Sequence, residues 1–120
     1  MGLIEDLQKL VEFESPSEDL EACRGVVELA VSIANTKLNP QAKVIEENGR
    51  PVFWWGSSSP EILILAHLDT VWPKGSFIPT WSINGDVAKG PGIFDMKAGF
   101  LQAIYAVAQI PEAATKVAII

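Results

Sequence analysis

Residues 61–71 read Glu61-Ile62-Leu63-Ile64-Leu65-Ala66-His67-Leu68-Asp69-Thr70-Val71. Five apolar residues in a row lead into the only histidine of the chain. A run this short and this continuous suits a β-strand over Glu61–His67, buried on both faces as in a sheet covered by helices. His67 then falls at the carboxyl end of that strand, where open α/β sheets bind their ligands.

On the amino-terminal side the period is helical. Leu3, Ile4, Leu7, Leu10 and Val11 predict an amphipathic helix over residues 3–14. Ser15-Pro16-Ser17-Glu18 has the form of a capping box, with Ser15 as N-cap, Pro16 at N1 and Glu18 at N3. A second helix is expected to run to about Lys37 on an apolar face of Leu20, Cys23, Val27, Ala30 and Ala34, and to stop at Asn39-Pro40. Ala42–Glu47 and Pro51–Trp55 are strand-like and flank Asn48-Gly49-Arg50, a hairpin signal. Ser57-Ser58-Ser59-Pro60 is a turn.

On the other side, a Pro- and Gly-containing loop leads to a second hairpin at Trp81–Ala88, turned at Asn84-Gly85. A third helix is expected from about Met96 to Gln109, with Phe100, Leu101, Ile104, Tyr105 and Ala108 inward. Lys116–Ile120 reads as another buried strand. Helices alternating with apolar strands make the class α/β. An apolar strand at the end of a chain is an aggregation liability if left at an edge. The expectation is therefore a fragment, or a final strand sheltered by something else.

The chain has 120 residues, one domain or part of one. Apolar residues make up 48% and charged residues 20%, which excludes disorder as the main description. The net charge of −6 argues against nucleic acid as partner. One cysteine, Cys23, excludes an internal disulfide and a Cys-based zinc site, and reads as a small buried hydrophobe. Neither aliphatic run, Ile62–Ala66 or Val117–Ile120, approaches the ~20 residues needed to span a membrane. The first residues have neither the form of a signal peptide nor that of a myristoylation site, so the expected location is cytoplasmic.

Chemistry is offered in two places. Asp69 lies two residues after His67, and in an extended segment such side chains point the same way. A carboxylate there can hold one imidazole nitrogen and leave the other for a metal. The plainer reading is a solvated loop histidine beside a turn-forming aspartate. The second place is Gly90-Pro91-Gly92-Ile93-Phe94-Asp95-Met96-Lys97-Ala98-Gly99. Asp95 could simply cap the following helix. It also stands where a dinucleotide fingerprint needs its third glycine, which argues against a pyrophosphate. Lys97 reads as a solvated residue at the helix start. Trp54, Trp55, Trp72 and Trp81 read mainly as packing, with Trp72 at the rim of the site.

Taken together, Leu65–Val71 and the Gly-Pro-Gly-x-x-Asp-Met-Lys-x-Gly segment resemble the M20 metallopeptidases, the co-catalytic zinc exopeptidases and amidohydrolases. Asp-Thr-Val-Trp-Pro and Gly-Pro-Gly-Ile are most similar to the glutamate carboxypeptidase branch, and Ser15-Pro16-Ser17 is similar to the family's usual opening. The resemblance covers essentially the whole chain. It implies the N-terminal part of a mixed-sheet, helix-flanked catalytic domain, residues 1–120, without the lid and dimerisation domain. It implies that His67 binds one metal, that Asp95 bridges two, and that Asp69 is an active-site residue supporting His67. Asp95–Met96 is then a candidate cis peptide. The cofactor implied is Zn2+, two per complete site, with Co2+ or Mn2+ also suited to these ligands. The activity implied is cleavage of the amide bond of a small peptide or N-acyl amino acid by metal-activated water. The remaining ligands and the general-base glutamate are expected beyond Ile120, so the 120 residues alone are expected to bind zinc weakly and to be inactive. The parent protein is expected to be a homodimer. The alternative is a truncated, non-catalytic module of protein–protein association, one that pairs through its exposed final strand or acts as a binding partner.

Overall fold

The computed structural model of the chain describes residues 2–120. Two helices open it, α1 (Leu3–Glu12) and α2 (Leu20–Ala34), followed by strands β1 (Lys43–Glu47), β2 (Arg50–Gly56) and β3 (Ile62–Ile64). A small hairpin follows, β4 (Ser82–Asn84) and β5 (Val87–Lys89), then helix α3 (Ala98–Ala108) and strand β6 (Val117–Ile119). The class is α/β, as the alternation of periods predicts.

Four strands form one mixed sheet in the order β1-β2-β6-β3. β1 and β2 are antiparallel, with Lys43 opposite Trp54 and Glu47 opposite Arg50. Their turn residues Asn48 and Gly49 have φ of 52° and 78°, the pair of positive angles that a tight hairpin with the strand's own twist requires. β6 runs antiparallel to β2 and parallel to β3, with Leu63 opposite Ala118. The final strand is thus not an open edge. It is flanked on both sides, and Ala118 and Ile119 are fully buried. The shelter expected from elsewhere comes from the chain's own β2 and β3.

The strand at Glu61–His67 differs from expectation in the opposite way. Only Ile62–Ile64 is regular strand, and Ile62 and Leu63 are 58% and 48% exposed. β3 is an edge strand, with β6 on one side of it.

The core lies where α1, α2 and α3 meet the sheet. Leu10, Val11, Val26, Ala30, Leu101 and Ile104 are fully buried, and Phe53 of β2 meets Phe100 of α3 edge-on, with ring centroids 5.0 Å apart. Burying the valine, leucine, isoleucine and phenylalanine side chains among these contributes roughly 1.5–3 kcal/mol each. Leu20 is exposed and Val26 and Ile33 join the inward face of α2 instead. Ala108 is exposed, and Val107 takes its expected place on α3.

The helix boundaries also shift. α1 ends at Glu12 rather than residue 14, and α2 ends at Ala34 rather than Lys37. Ser15 is not an N-cap: α2 begins at Leu20, and Asp19 caps it by accepting a 3.0 Å bond from the Ala22 N–H. Asp19 wins because Ser15 has a long-range partner, described below. α3 begins at Ala98, and a wide turn at Ile93–Lys97, in which Asp95 and Met96 leave helical geometry, precedes it.

Candidate functional site

The pairing of β3 with β6 extends past the regular strand: the Ala66 N–H donates to the Ile120 carbonyl at 2.9 Å. This delivers His67 to the carboxyl end of β3. The loop that follows is held from the amino-terminal side of the molecule. Ser15 Oγ donates to the Leu68 carbonyl at 2.7 Å, the Thr70 N–H to the Ser15 carbonyl at 2.8 Å, and the Ser17 N–H to the Thr70 carbonyl at 2.9 Å. Ser15-Pro16-Ser17 is therefore a short bridge strapped across residues 68–70, in place of the capping box its spacing suggests.

The turn carrying Asp95 approaches the same loop. Gly92 has φ of 74°, and a Cβ there would lie 2.4 Å from Thr70 Cγ2. Only glycine meets both the angle and the spacing. The Lys97 N–H closes the turn on the Gly92 carbonyl at 2.9 Å, and the Asp95–Met96 peptide is cis, as the resemblance implies.

These two segments bring together His67, Asp69 and Asp95. His67 Nε2 lies 2.8 Å from Asp95 Oδ1, 28 residues away in sequence. His67 Nδ1 lies 3.0 Å from the Asp69 carbonyl and 3.3 Å from Asp69 Oδ1. Asp95 does not cap α3; its carboxylate is spent on the histidine. Partial burial of the imidazole works against its protonation. The bonds to the Asp69 carbonyl and the Asp95 carboxylate, with the charges of both aspartates, outweigh that and hold its pKa above the ordinary value.

The donor set suits a metal of the zinc type. Asp69 occupies Nδ1, which leaves Nε2 as the nitrogen that could hold a metal, and a carboxylate stands directly in front of it. Among the described residues, no group of three or more His, Cys, Asp or Glu converges as a complete metal site. A cleft of about 360 Å³ opens beside this cluster, lined by Arg50, Phe53, His67, Asp69, Phe100 and Ile120 among others. Trp72 is 46% exposed near the loop and stacks edge-on with Phe77, whereas Trp55 is buried and its Nε1 donates to the Pro40 carbonyl at 2.7 Å.

Lys97 corrects the sequence reading most sharply. It is not solvated but fully buried. Its Nζ donates to the carbonyls of Leu10 at 2.7 Å and Phe13 at 3.0 Å. Burial lowers its pKa to about 8. One signal for this was available: Lys97 precedes Phe100, Leu101 and Ile104 by three, four and seven, which places it on their face of the helix. Nothing in the sequence marked Ser15 as a partner of Leu68.

Comparison with protein-family models finds no match, and comparison with curated proteins finds none. Among solved structures, the chain is similar to the crystal structure of an M20 family metallo-carboxypeptidase, Sso-CP2, from Sulfolobus solfataricus. The TM-score is 0.79 at 16% identity, over 99% of this chain and 30% of that one. The fold is that of part of an M20 peptidase domain. The chain spans about 30% of the length of that relative. Among the described residues, no helix is long and apolar enough to cross a membrane.

Proposed function

We propose that the chain is the N-terminal part of an M20-type metallohydrolase of the glutamate carboxypeptidase branch, located in the cytoplasm. The observation that carries the reading is the meeting of His67, Asp69 and Asp95 at the carboxyl end of β3, on the fold of such an enzyme. His67 Nε2 and the Asp95 carboxylate are the ligands this chain would offer, with Asp95 able to share its two oxygens between two ions. Zn2+ is the expected metal, and Co2+ or Mn2+ suit the same donors. When bound, such ions activate a water and polarise the amide carbonyl. Asp69 orients the His67 ring and raises its basicity.

The substrate class is a small peptide or N-acyl amino acid. His67 and Asp95 are too few to complete two tetrahedral sites. The remaining ligands, the general-base glutamate and the lid and dimerisation domain are assigned to sequence outside these 120 residues, so the chain alone binds zinc weakly and is inactive. In the alternative, a module of protein–protein association, pairing through an open final strand loses its basis because β6 is flanked on both sides.

The test is His67→Ala in the longer protein to which the resemblance assigns the chain. Loss of at least one metal and of nearly all amide hydrolysis is expected. Turnover retained in that variant overturns the reading.

A further inference from the structure

Lys97 is fully buried, and the proposed hydrolysis does not use it. An interior ammonium is retained only where it is hydrogen-bonded. Its partners, the carbonyls of Leu10 and Phe13, belong to the last turn and the C-cap of α1. A helix leaves such carbonyls without intrahelical donors, and a cation there also meets the negative end of the dipole. The backbone of the same residue closes the turn on Gly92. Two residues beyond Phe13, Ser15 holds the loop that follows His67. The carboxyl end of α1 is thus a common anchor, reached by the Asp95 turn through Lys97 and by the His67 loop through Ser15.

We infer that Lys97 is a positioning residue: it clamps the Gly92–Lys97 turn onto the end of α1 and so fixes the Asp95 carboxylate opposite His67 Nε2. The inference rests on the reading of His67 and Asp95 as the metal-facing pair, but its test requires no metal.

His67 is the only histidine, so the ring nitrogens give one set of NMR signals. The 15N spectrum of the ring is recorded at one fixed pH for the wild-type chain, Lys97→Met, Asp95→Asn and Tyr105→Phe. Tyr105→Phe is the control: it removes the 2.6 Å bond from Tyr105 Oη to Asp6, a polar tie between the same two helices at the other end of α1. Lys97→Met is expected to move the Nε2 signal at least half of the way to its position in Asp95→Asn. Tyr105→Phe is expected to lower thermal stability and leave the signal in place. An Nε2 signal unchanged in Lys97→Met overturns the inference, as does an equal shift in Tyr105→Phe. If Lys97→Met does not fold, Lys97→Gln, whose uncharged amide nitrogen sits one bond nearer the backbone and cannot span to both carbonyls, is read by the same criterion. Zn2+ added to the wild-type chain tests the other reading separately. Ring signals indifferent to millimolar Zn2+ overturn the metal assignment, while the variant comparison still decides the clamp.

Discussion

The Ser15 hydroxyl donates a 2.7 Å hydrogen bond to the carbonyl of Leu68, 53 residues further along the chain. Ser15 is 1% exposed, so an alanine there would leave that carbonyl without its donor in the interior. Ser15→Ala is expected to cost about 1–2 kcal/mol, the range for a buried group losing its partner. A shift of the urea midpoint, with the slope of the transition unchanged, measures it. An unaltered midpoint would show that the strap does not hold the loop.

Gly92→Ala carries two penalties, a side chain at φ of 74° and a Cβ 2.4 Å from Thr70 Cγ2. A loss of more than about 1 kcal/mol is expected. Thr70→Ser removes the clashing methyl and leaves the backbone angle as it was. The double variant should therefore recover part of the loss and not all of it. Strict additivity of the two changes would mean that the segments do not press on each other.

Tyr105 makes the chain's stability sensitive to strong alkali. Desolvation, the bond to Asp6 and the charges of Asp6 and Glu5 raise its phenol to about 12 from 10.0. The unfolded phenol ionises first, so the stability due to this shift is complete below pH 10 and lost as pH rises to about 12. The wild type is expected to lose its advantage over Tyr105→Phe across that window. A constant difference between the two from pH 9 to 12 would contradict it.

On the proposed reading, Asp69 acts through the imidazole. In the longer protein, Asp69→Asn is expected to weaken metal binding by 10–100-fold, the usual consequence of losing a carboxylate behind a metal-binding histidine. Chelator competition measures it. An affinity within twofold of the wild type would assign Asp69 to the loop alone.

What was legible in the sequence was local. Asn48-Gly49 specified a hairpin because the demand for positive φ is met within two residues. The helical faces of α1 and α2 followed from spacing, apart from their ends. His67, Asp69 and Asp95 could be named from residue type and motif, and the fold brings all three within contact. What failed depended on distant partners. Ser15 satisfied every local rule for a cap, but its hydroxyl is engaged by Leu68. Lys97 is charged and stands at a helix start, yet the free carbonyls that receive it belong to α1, more than eighty residues earlier. The exposure of β3 and the enclosure of β6 depend on strand order, which periodicity does not encode.

That strand order also sets a timetable. Ile62 of β3 waits for Val117, 55 residues later, before its parallel partner exists. On the ribosome the β1–β2 hairpin can close soon after Gly56 emerges, since its contacts are local. β2 and β3, however, flank a gap that β6 fills, and β6 is the last of these four strands to be made. These four strands are joined by insertion at the middle, not by addition at the rim, and until then two strand edges stand open for chaperones to cover.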